Sequence, residues 1–511
     1  MSVKVASGRA LDADVIVAGT GPGGSAAATV LARAGVRVIA LDRQRFPRDK
    51  VCGGFVGPVG LRELAGLGVT SKPGYLGTHL IHQAMVVANG EPLLLENIPQ
   101  ASGLPGYGRV IPRIVLDQWL FECAQQSGAA MLQNRRVVGF TVGQDSVEVE
   151  VAEGRASSRL RALLLIGADG TTSVVARGVQ ERAASLGNPI LAVRGYFDGV
   201  KATPHQAELY FNSQSFPGYF WFFPAGDSIA NVGVGMAGET LPPSRTHLRD
   251  MLLDLAQSDP VLRTRLQGAR LRGAIAGWPL ATYSPNRPVI SDRVLLVGDA
   301  AGLINPLNGE GIQFALQSGR WAAETALRCL WQRTFAREAL GAYQRKIERE
   351  LRYDMAISGM IIQMIRNRDF NPFWLWALRI ISARAKSDPV YGRLAAGMVA
   401  GVVSTRNALS ARVLGGTVEQ AILSLARDGL AAIKEPSSLI DPALAMAEMG
   451  LQFTSDLVRN PRDVFRWGGG LAAQAIELGI QTGAHTARSL VDGSRSLLEP
   501  PFRGLAQSYT G

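Results

Sequence analysis

The sequence predicts an α/β fold, α+β overall: a Rossmann-like domain with a parallel sheet, a second domain with an antiparallel sheet, and a helical C-terminal region. Near the N-terminus, a β-branched run, an alanine-rich helical pattern and a second apolar run give the order strand–helix–strand, which favours a parallel sheet. Strand-like runs between residues 192 and 236 favour an antiparallel sheet, and the pattern after Arg337 is almost entirely helical.

Each element has its own local signal. Short runs rich in Val, Ile and Leu predict strands, alternation of apolar and polar residues predicts half-buried strands, and longer apolar-periodic runs predict helices. In chain order these are a strand over 14–18, a helix over 25–34, a strand over 36–41, half-buried strands over 137–151, buried strands over 163–167 and 294–297, and a helix over about 311–330.

The length of 511 residues indicates two to four domains. We expect the Rossmann-like domain to be discontinuous and the second domain to be inserted into it. The predicted boundaries are 1–75, 105–188 and 285–335 for the first domain, 76–104 and 189–284 for the second, 336–416 for a helical region, and 417–511 for a helical tail whose role the sequence does not indicate.

Composition narrows the class of protein. Hydrophobic residues make up 47% and charged residues 19%, as in globular proteins. The 3 cysteines include no close pair, which argues against a disulfide framework and fits a reducing cytosol. We expect no signal peptide, no membrane-spanning helix and a cytoplasmic location. The five histidines form no recognisable ligand set, so no metal is predicted; His79 and His82 have a spacing that would place them on one helix face.

The net charge of +11 is concentrated in one segment. Residues 328–412 contain 15 Lys/Arg against 6 Asp/Glu, whereas the tail from 417 has a net charge of −2. Two interpretations stay open: solvated helix faces, or peripheral contact with the inner face of a membrane. Tryptophans beside basic residues in 370–381 suit a lipid headgroup interface, and no nucleic-acid partner is expected.

A glycine-rich motif follows the first predicted strand. Gly19, Gly21 and Gly24 form G-x-G-x-x-G before a helix, with Gly23 beside the last of them. Such glycines permit a tight turn, close approach of a pyrophosphate to the backbone, and helix–strand packing. Asp42 ends the second strand, where a carboxylate can bind a ribose. The similar run from Gly233 to Gly238 precedes Glu-Thr-Leu-Pro-Pro and is read as chance glycines at a strand end.

Two further motifs occur later in the chain. The run Gly167-Ala168-Asp169-Gly170 closes at Arg177, and Gly298-Asp299-Ala300-Ala301-Gly302 continues through Asn305-Pro306-Leu307-Asn308-Gly309-Glu310-Gly311. Asp299 follows a buried strand, where its carboxylate can bind hydroxyl groups. The glycines after it open a helix whose N-terminus can stabilise negative charge.

In this order and spacing, the three motifs resemble the FAD-binding signature of p-hydroxybenzoate hydroxylase-like flavoproteins. Within that group the chain is most similar to geranylgeranyl reductases, over about residues 12–410. The supporting runs are 46–54, 113–117, 217–224, 230–235 and 305–312. The family's aromatic motif is P-x-x-Y-x-W-x-F-P; Tyr219, Trp221, Phe223 and Pro224 fit it, but position 216 is Phe, which puts geranylgeranyl itself in doubt as the substrate.

The resemblance implies FAD as the cofactor and an apolar small-molecule substrate. It implies three residues with a part in catalysis: Cys52 near the flavin ring, and Tyr219 and Trp221 on one face of the aromatic strand. The residues expected to bind the cofactor are Gly19, Gly21, Gly23, Gly24, Asp42, Arg43, Cys52, Arg113, Asp169, Gly298, Asp299, Gly309, Gly311 and Ile312.

Three reactions are compatible with this fold. The expected function is reduction of C=C bonds in an isoprenoid or polyene-like substrate; the alternative is a flavin monooxygenase, and a halogenase is a weaker alternative because W-x-W-x-I-P is absent. A flavin-binding membrane partner without catalytic activity is a fourth, remote alternative. The sequence has no second nucleotide-binding unit, so NAD(P)H and a reduced electron-donor protein both stay open as the source of electrons.

Overall fold

A computed structural model describes residues 10–399, apart from 102, 181–189, 213–215, 217, 242–246, 286, 368 and 369, together with short stretches between 413 and 476. Within these residues two large sheets dominate, one mostly parallel and one mostly antiparallel. The predicted fold class is confirmed.

The parallel sheet is built from short strands, most of whose residues are buried in the largest apolar core, which also includes valines at 137, 147, 149 and 151. Its order is β18-β19-β12-β1-β2-β8, and only β18 pairs antiparallel with its neighbour. The strands are β1 (Val15–Ala18), β2 (Val38–Leu41), β8 (Ala130–Leu132), β12 (Leu164–Gly167), β18 (Ile290–Ser291) and β19 (Val294–Leu296). The strands predicted near 14–18, 36–41, 163–167 and 294–297 are therefore present.

The second large sheet has seven strands in the order β17-β13-β16-β15-β14-β5-β6. The strands are β5 (Gln83–Ala88), β6 (Glu91–Asn97), β13 (Ile190–Asp198), β14 (Gln206–Phe211), β15 (Tyr219–Pro224), β16 (Ile229–Ala237) and β17 (Arg270–Leu280). β14 and β5 pair in parallel, and the other neighbours are antiparallel. The second glycine match, from Gly233 to Gly238, runs along the end of β16 into a single 3₁₀ turn, which agrees with the expectation of glycines at a strand end.

Two three-stranded sheets complete the strand structure of the described residues. One joins β9 (Arg136–Val142), β10 (Val147–Glu153) and β11 (Ala156–Ala162), which confirms the alternating pattern predicted over 137–151. The other joins β3 (Phe55–Val56), β4 (His79–Ile81) and β7 (Gly108–Val110). His79 begins β4 and His82 follows it, so the expectation that they share a helix face is wrong. Their rings instead meet His205, with centroids 5.6 and 5.4 Å away.

The helices pack on these sheets. They are α1 (Pro22–Arg33), α2 (Pro58–Leu67), α3 (Arg113–Gln126), α4 (Val174–Val179), α5 (Leu248–Ser258), α6 (Pro260–Leu266), α7 (Ile312–Gln332), α8 (Arg337–Ile347), α9 (Tyr353–Ile365), α10 (Asn371–Ser387) and α11 (Pro389–Val399). Helices α1 and α7 cross closely because Gly319 meets Gly23: a Cβ on Gly319 would lie 2.2 Å from the Gly23 carbonyl oxygen. This contact brings the first and third motifs together.

The largest apolar core surrounds the parallel sheet, and a second lies between the seven-stranded sheet and α5 and α6. Helices α10 and α11 cover the edge of the seven-stranded sheet, where Tyr391 and Leu394 pack against Val86 and Leu94. No helix among the described residues is both long and apolar enough to cross a membrane.

Candidate functional site

The motif residues meet at one edge of the parallel sheet. Gly19 follows β1, Asp42 follows β2, Asp169 lies two residues beyond β12, and Asp299 lies three residues beyond β19. Since these strands are parallel and adjacent, their carboxyl ends open on one crevice, which is where open α/β sheets bind ligands. Gly19, Asp42 and Asp169 line a groove of about 1430 Å³, the polar groove, together with Arg43 and Arg48.

The glycines of the first motif have distinct tasks. Gly19 has φ +96°, and a Cβ there would lie 2.3 Å from the Ala168 carbonyl oxygen, so only glycine fits this turn. A Cβ on Gly24 would lie 1.9 Å from the Gly19 carbonyl oxygen. A Cβ added to Gly21 would lie 3.7 Å from a guanidinium nitrogen of Arg48, an ordinary van der Waals contact. The backbone at Gly21 is therefore open to the groove, as close approach of a pyrophosphate requires.

Asp42 is nearly buried and well supplied with donors. Its Oδ2 accepts from the backbone N–H and the hydroxyl of Thr20, at 3.1 and 2.9 Å, and its Oδ1 accepts from the N–H of Gln44 at 2.9 Å. Arg48 lies 3.5 Å from Asp42 and 3.0 Å from Asp117, so its guanidinium bridges the two carboxylates. These bonds fix the carboxylate at the edge of the polar groove, with Arg43 exposed beside it.

Arg113 and Asp117 form a buried pair one helical turn apart on α3, with two bonds of 2.7 Å. Such bidentate geometry holds the guanidinium rigidly. Arg113 lines both the polar groove and the adjoining central cavity, so it marks the junction between them.

The Asp169 carboxylate is engaged with its own chain. It accepts from the Ser173 hydroxyl and from the backbone N–H of Val174 at 2.7 Å, at the start of α4. Burial raises its pKa, partly offset by these bonds. Asp169 thus borders the polar groove while shaping the turn between β12 and α4.

Asp299 pairs with Lys50 across the crevice, with Nζ 2.9 Å from Oδ2. Burial disfavours the charged carboxylate, but Lys50 and Arg113, with the Thr171 hydroxyl, hold the pKa of Asp299 below its ordinary value. Asp299 therefore stays ionised and lines the central cavity, an opening with about 1170 Å³ of empty space. Its neighbour Gly298 has φ +56° and packs against Ala315 of α7.

The central cavity lies between the third motif and the aromatic strand β15. Its wall includes Cys52, Tyr219, Trp221, Gly309, Gly311 and Ile312. A second opening, the apolar cavity, has about 810 Å³ of empty space and shares five of these residues, all but Trp221. Its remaining wall is mostly hydrophobic: Phe55, Ile81, Ala84, Ile98, Ala207, Leu209 and Phe223. The two cavities therefore adjoin at the Cys52 and Tyr219 side chains.

Alternation along β15 places the aromatic rings on opposite faces. Tyr219, Trp221 and Phe223 contact one another in series, with centroids 6.3 Å apart, on the face that borders the cavities. Phe220 and Phe222 are fully buried in the core beneath α5. The predicted division of faces is confirmed. Pro217, the shifted proline of the motif, lies outside the described residues.

A hydrogen-bonded chain links Trp221 to Cys52. The indole Nε1 donates to the Asn231 Oδ1 at 2.9 Å, and the Asn231 amide donates to the Cys52 carbonyl oxygen at 2.8 Å. The Cys52 sulfur accepts a weak bond from the N–H of Gly54 at 3.4 Å. Through this chain Trp221 fixes the backbone that carries Cys52. Because Trp221 is almost buried, it presents only part of its ring to the central cavity.

The residues present fit FAD. The polar groove and the central cavity share Lys50, Val51, Arg113 and Trp278, so together they form one elongated site. The end beneath Gly21 suits a pyrophosphate, and the end between Tyr219 and the N-terminus of α7 suits a flat ring system. In this arrangement Gly309, Gly311 and Ile312 lie at the ring end with Cys52.

Several site residues carry no motif of their own and were not predicted. Arg48 and Lys50 lie in the run 46–54 that supports the family resemblance, but the sequence does not show which carboxylates pair with them. Asn231 and Glu310 likewise lie within quoted runs without an assigned role. The approach of His205 to His79 and His82 was also missed; no metal-binding group of His, Cys, Asp or Glu is found in the part of the chain that is described.

Comparison with known proteins identifies the family. The model of the FAD binding domain matches residues 12–349. Menaquinone reductase of Mycobacterium tuberculosis is 34% identical over 328 residues, 61% of this chain and 76% of that protein. Digeranylgeranylglycerophospholipid reductase 1 of Methanopyrus kandleri is 30% identical over 373 residues, 70% of this chain and 92% of that protein.

Solved structures share the fold. A geranylgeranyl bacteriochlorophyll reductase-like protein from Thermoplasma acidophilum has a TM-score of 0.60 at 20% identity, covering 85% of this chain and 99% of its own. A myxobacterial chondrochloren halogenase has a TM-score of 0.62 at 23% identity, covering 76% and 90%. The chain belongs to the FAD-binding domain family and, within it, to the geranylgeranyl reductase family. It is an FAD-dependent oxidoreductase.

Proposed function

We propose that the protein reduces carbon–carbon double bonds in an apolar isoprenoid substrate. The observation that carries this proposal is the position of the apolar cavity, which adjoins the ring end of the FAD site at Cys52 and Tyr219. An extended hydrocarbon in that cavity would bring a double bond up to the flavin. Reduced FAD, when bound, supplies a hydride.

The relatives support the substrate class. Menaquinone and digeranylgeranylglycerophospholipid, which appear in the relatives' names, both carry isoprenoid chains while their polar ends differ. An apolar cavity lined by Ile81, Ile98 and Leu209 suits the isoprenoid chain that the two compounds share, and these side chains offer no hydrogen bonds that would select a particular polar head group. The substrate class that we propose is therefore a long isoprenoid chain on a polar head group.

The site residues have separate proposed roles. The glycines of the first motif and Asp42, Arg43 and Asp169 bind or shape the nucleotide end. Arg113, Gly298 and Asp299 hold the middle of the cofactor, and Gly309, Gly311 and Ile312 hold its ring. Tyr219 forms the wall between the two cavities, and Trp221 positions Cys52 through Asn231.

The electron donor and the membrane contact are further parts of the proposal. Either NAD(P)H or a reduced protein would deliver electrons at the open side of the central cavity.

Helix α10 packs its buried Leu375 and Ile380 inward, whereas Trp374 and Trp376 are only half-buried. The segment that contains these tryptophans, 328–412, has 15 Lys/Arg against 6 Asp/Glu, and the two features together support reversible binding at an anionic membrane surface on the cytoplasmic side.

Anaerobic photoreduction tests the reaction. The FAD-loaded protein is photoreduced, and isoprenoid alkenes are added without oxygen. Reoxidation of the flavin, with saturated product found by mass spectrometry, supports the reductase. Reoxidation that requires oxygen and yields a hydroxylated product would instead establish the monooxygenase.

A variant localises the substrate. Ala207→Trp fills the apolar cavity from β14, outside the FAD site, because Ala207 lines only that cavity among the three openings described above. We expect normal FAD content but loss of reoxidation by long isoprenoids. Unchanged reoxidation would move the substrate site elsewhere.

A further inference from the structure

Reduction of an alkene needs a proton as well as a hydride, and the cavity walls offer few acids. Asp299 is ionised and paired with Lys50, so it has no proton to give. The Tyr219 hydroxyl donates to the Asn308 carbonyl oxygen, and burial, with the nearby charge of Glu310, raises its pKa well above the ordinary value. Tyr219 therefore holds its proton tightly at neutral pH.

Glu310 lies on the loop before α7 and lines the apolar cavity beside Tyr219 and Cys52. Its Oε2 accepts from the side-chain amide of Gln313 at 3.0 Å. Among the described residues, no Lys or Arg forms an ion pair with this carboxyl group. An uncompensated carboxylate beside an apolar wall is costly, so the neutral acid is favoured.

The acidity of Glu310 suits proton transfer. Burial raises its pKa to about 8, with only a partial offset from hydrogen bonding to Asn308. The acid is therefore largely protonated near neutral pH and can still release its proton, as an efficient general acid must. The titratable groups that face it are Tyr219 and Cys52; Lys50, Arg113 and Asp299 line the adjoining central cavity.

We infer that Glu310 donates the proton in the double-bond reduction, an inference that rests on the proposed function. The π bond breaks; one carbon receives the hydride supplied by reduced FAD, and its neighbour forms a C–H bond with the proton of Glu310. Both electrons of the reduction come with the hydride. Glu310 is left as a carboxylate and regains a proton from water.

The protonation state can be tested without turnover. Infrared spectra of the FAD-loaded, substrate-free protein should show the C=O stretch of a protonated carboxylic acid that disappears on titration near pH 8. Glu310→Gln should remove this band. Glu96→Gln is the matched control: burial also raises the pKa of Glu96, but this residue lies on β6 and lines none of the three openings.

Single-turnover reoxidation by an isoprenoid alkene tests the role. Glu310→Gln should keep its FAD but slow reoxidation at least about 100-fold, the usual contribution of a general acid. The wild-type rate should fall as pH rises through about 8, because the acid loses its proton, and the residual rate of Glu310→Gln should lack that dependence. Glu310→Asp should restore part of the rate, and Glu96→Gln should match the wild type.

The outcomes separate the two proposals. If the wild type is reoxidised by the alkene and Glu310→Gln keeps the same rate and pH profile, Glu310 is not the donor and the reductase stands. If no isoprenoid reoxidises the wild type, the proposed function fails and this inference with it. An infrared band unchanged by Glu310→Gln would overturn the assignment of a neutral Glu310 regardless of the substrate.

Discussion

The polar groove and the apolar cavity are built on opposite principles, although both adjoin the central cavity. The groove is formed by backbone turns and by charged side chains, some of them held in ion pairs: Asp42 pairs with Arg48, and Lys50 pairs with Asp299 of the central cavity. The apolar cavity is formed by side chains from several strands, and Glu310 on its wall has no described cationic partner. A dinucleotide cofactor is held by fixed backbone turns and charges, whereas a hydrocarbon is held by shape and the absence of competing polar groups.

The sharpest test of the groove is Gly21→Val. The position has an ordinary φ and no protein atom closer than 3.7 Å to an added Cβ, so the fold should tolerate valine. The side chain would instead occupy the space of the pyrophosphate, and we expect FAD binding to be abolished, as measured by flavin absorbance after purification. Gly66→Val, on an exposed part of α2 with open space around it, should keep FAD. Full flavin occupancy in Gly21→Val would refute the groove as the nucleotide site.

Removing one half of an ion pair should have the next largest effect. Asp299→Ala leaves Lys50 unpaired and should weaken FAD binding by roughly 10- to 100-fold, corresponding to about 1–3 kcal/mol. Lys50→Met should also change the pH dependence. Because the pKa of Asp299 is lowered in the folded protein, the pair contributes above the ordinary carboxyl range and is lost as pH falls through the lowered pKa. Without Lys50, loss of FAD on acidification should begin at a higher pH; an unchanged titration would show that the pair is incidental.

The two faces of β15 give a comparison within one strand. Trp221→Ala should lower turnover far more than FAD content, because it removes the bond to Asn231 that holds the Cys52 backbone. Phe222→Ala, on the opposite face, should cost about 3–5 kcal/mol of stability while leaving turnover per bound FAD nearly unchanged. Thermal unfolding and steady-state kinetics on both variants distinguish a role in turnover from a role in core packing. Equal losses of stability without a selective loss of turnover would make Trp221 an ordinary core residue.

Cys52→Ser should have a smaller effect. If Glu310 is the proton donor, the thiol only packs beside the ring and substrate, and serine should retain most of the double-bond reduction. The single-turnover assay used for Glu310 measures this. A loss as large as that of Glu310→Gln, with FAD retained, would return the thiol to the chemical step.

The smallest expected effect concerns the membrane. Trp374→Ala with Trp376→Ala should reduce flotation with anionic liposomes at low salt while leaving turnover on detergent-dispersed substrate intact. Each basic residue near such a surface contributes about 1 kcal/mol, so added salt should release the protein. A protein that does not float at low salt would exclude this route to its substrate.

Sequence alone determined the parts of this protein that depend on neighbours along the chain. The turn at Gly19, the strand–helix order around it and the alternation of rings on β15 all follow from local backbone geometry and period, so they were predicted correctly. The family resemblance also predicted FAD correctly, because the FAD-binding signature consists of short contiguous motifs that can be recognised in the sequence.

Tertiary structure decided what depends on residues far apart. Lys50 meets Asp299 across 249 positions, and Trp221 reaches Cys52 only through Asn231. The grouping of His79, His82 and His205 arises because β5, which follows His82, pairs with β14, which follows His205; the backbone N–H of His82 also donates to the His205 carbonyl oxygen at 2.8 Å. Burial is also a tertiary property: the letters Gly-Glu-Gly show a carboxylate, but only packing against Tyr219 and the apolar cavity raises the pKa of Glu310. Pairing and desolvation act through space, and no local pattern encodes them.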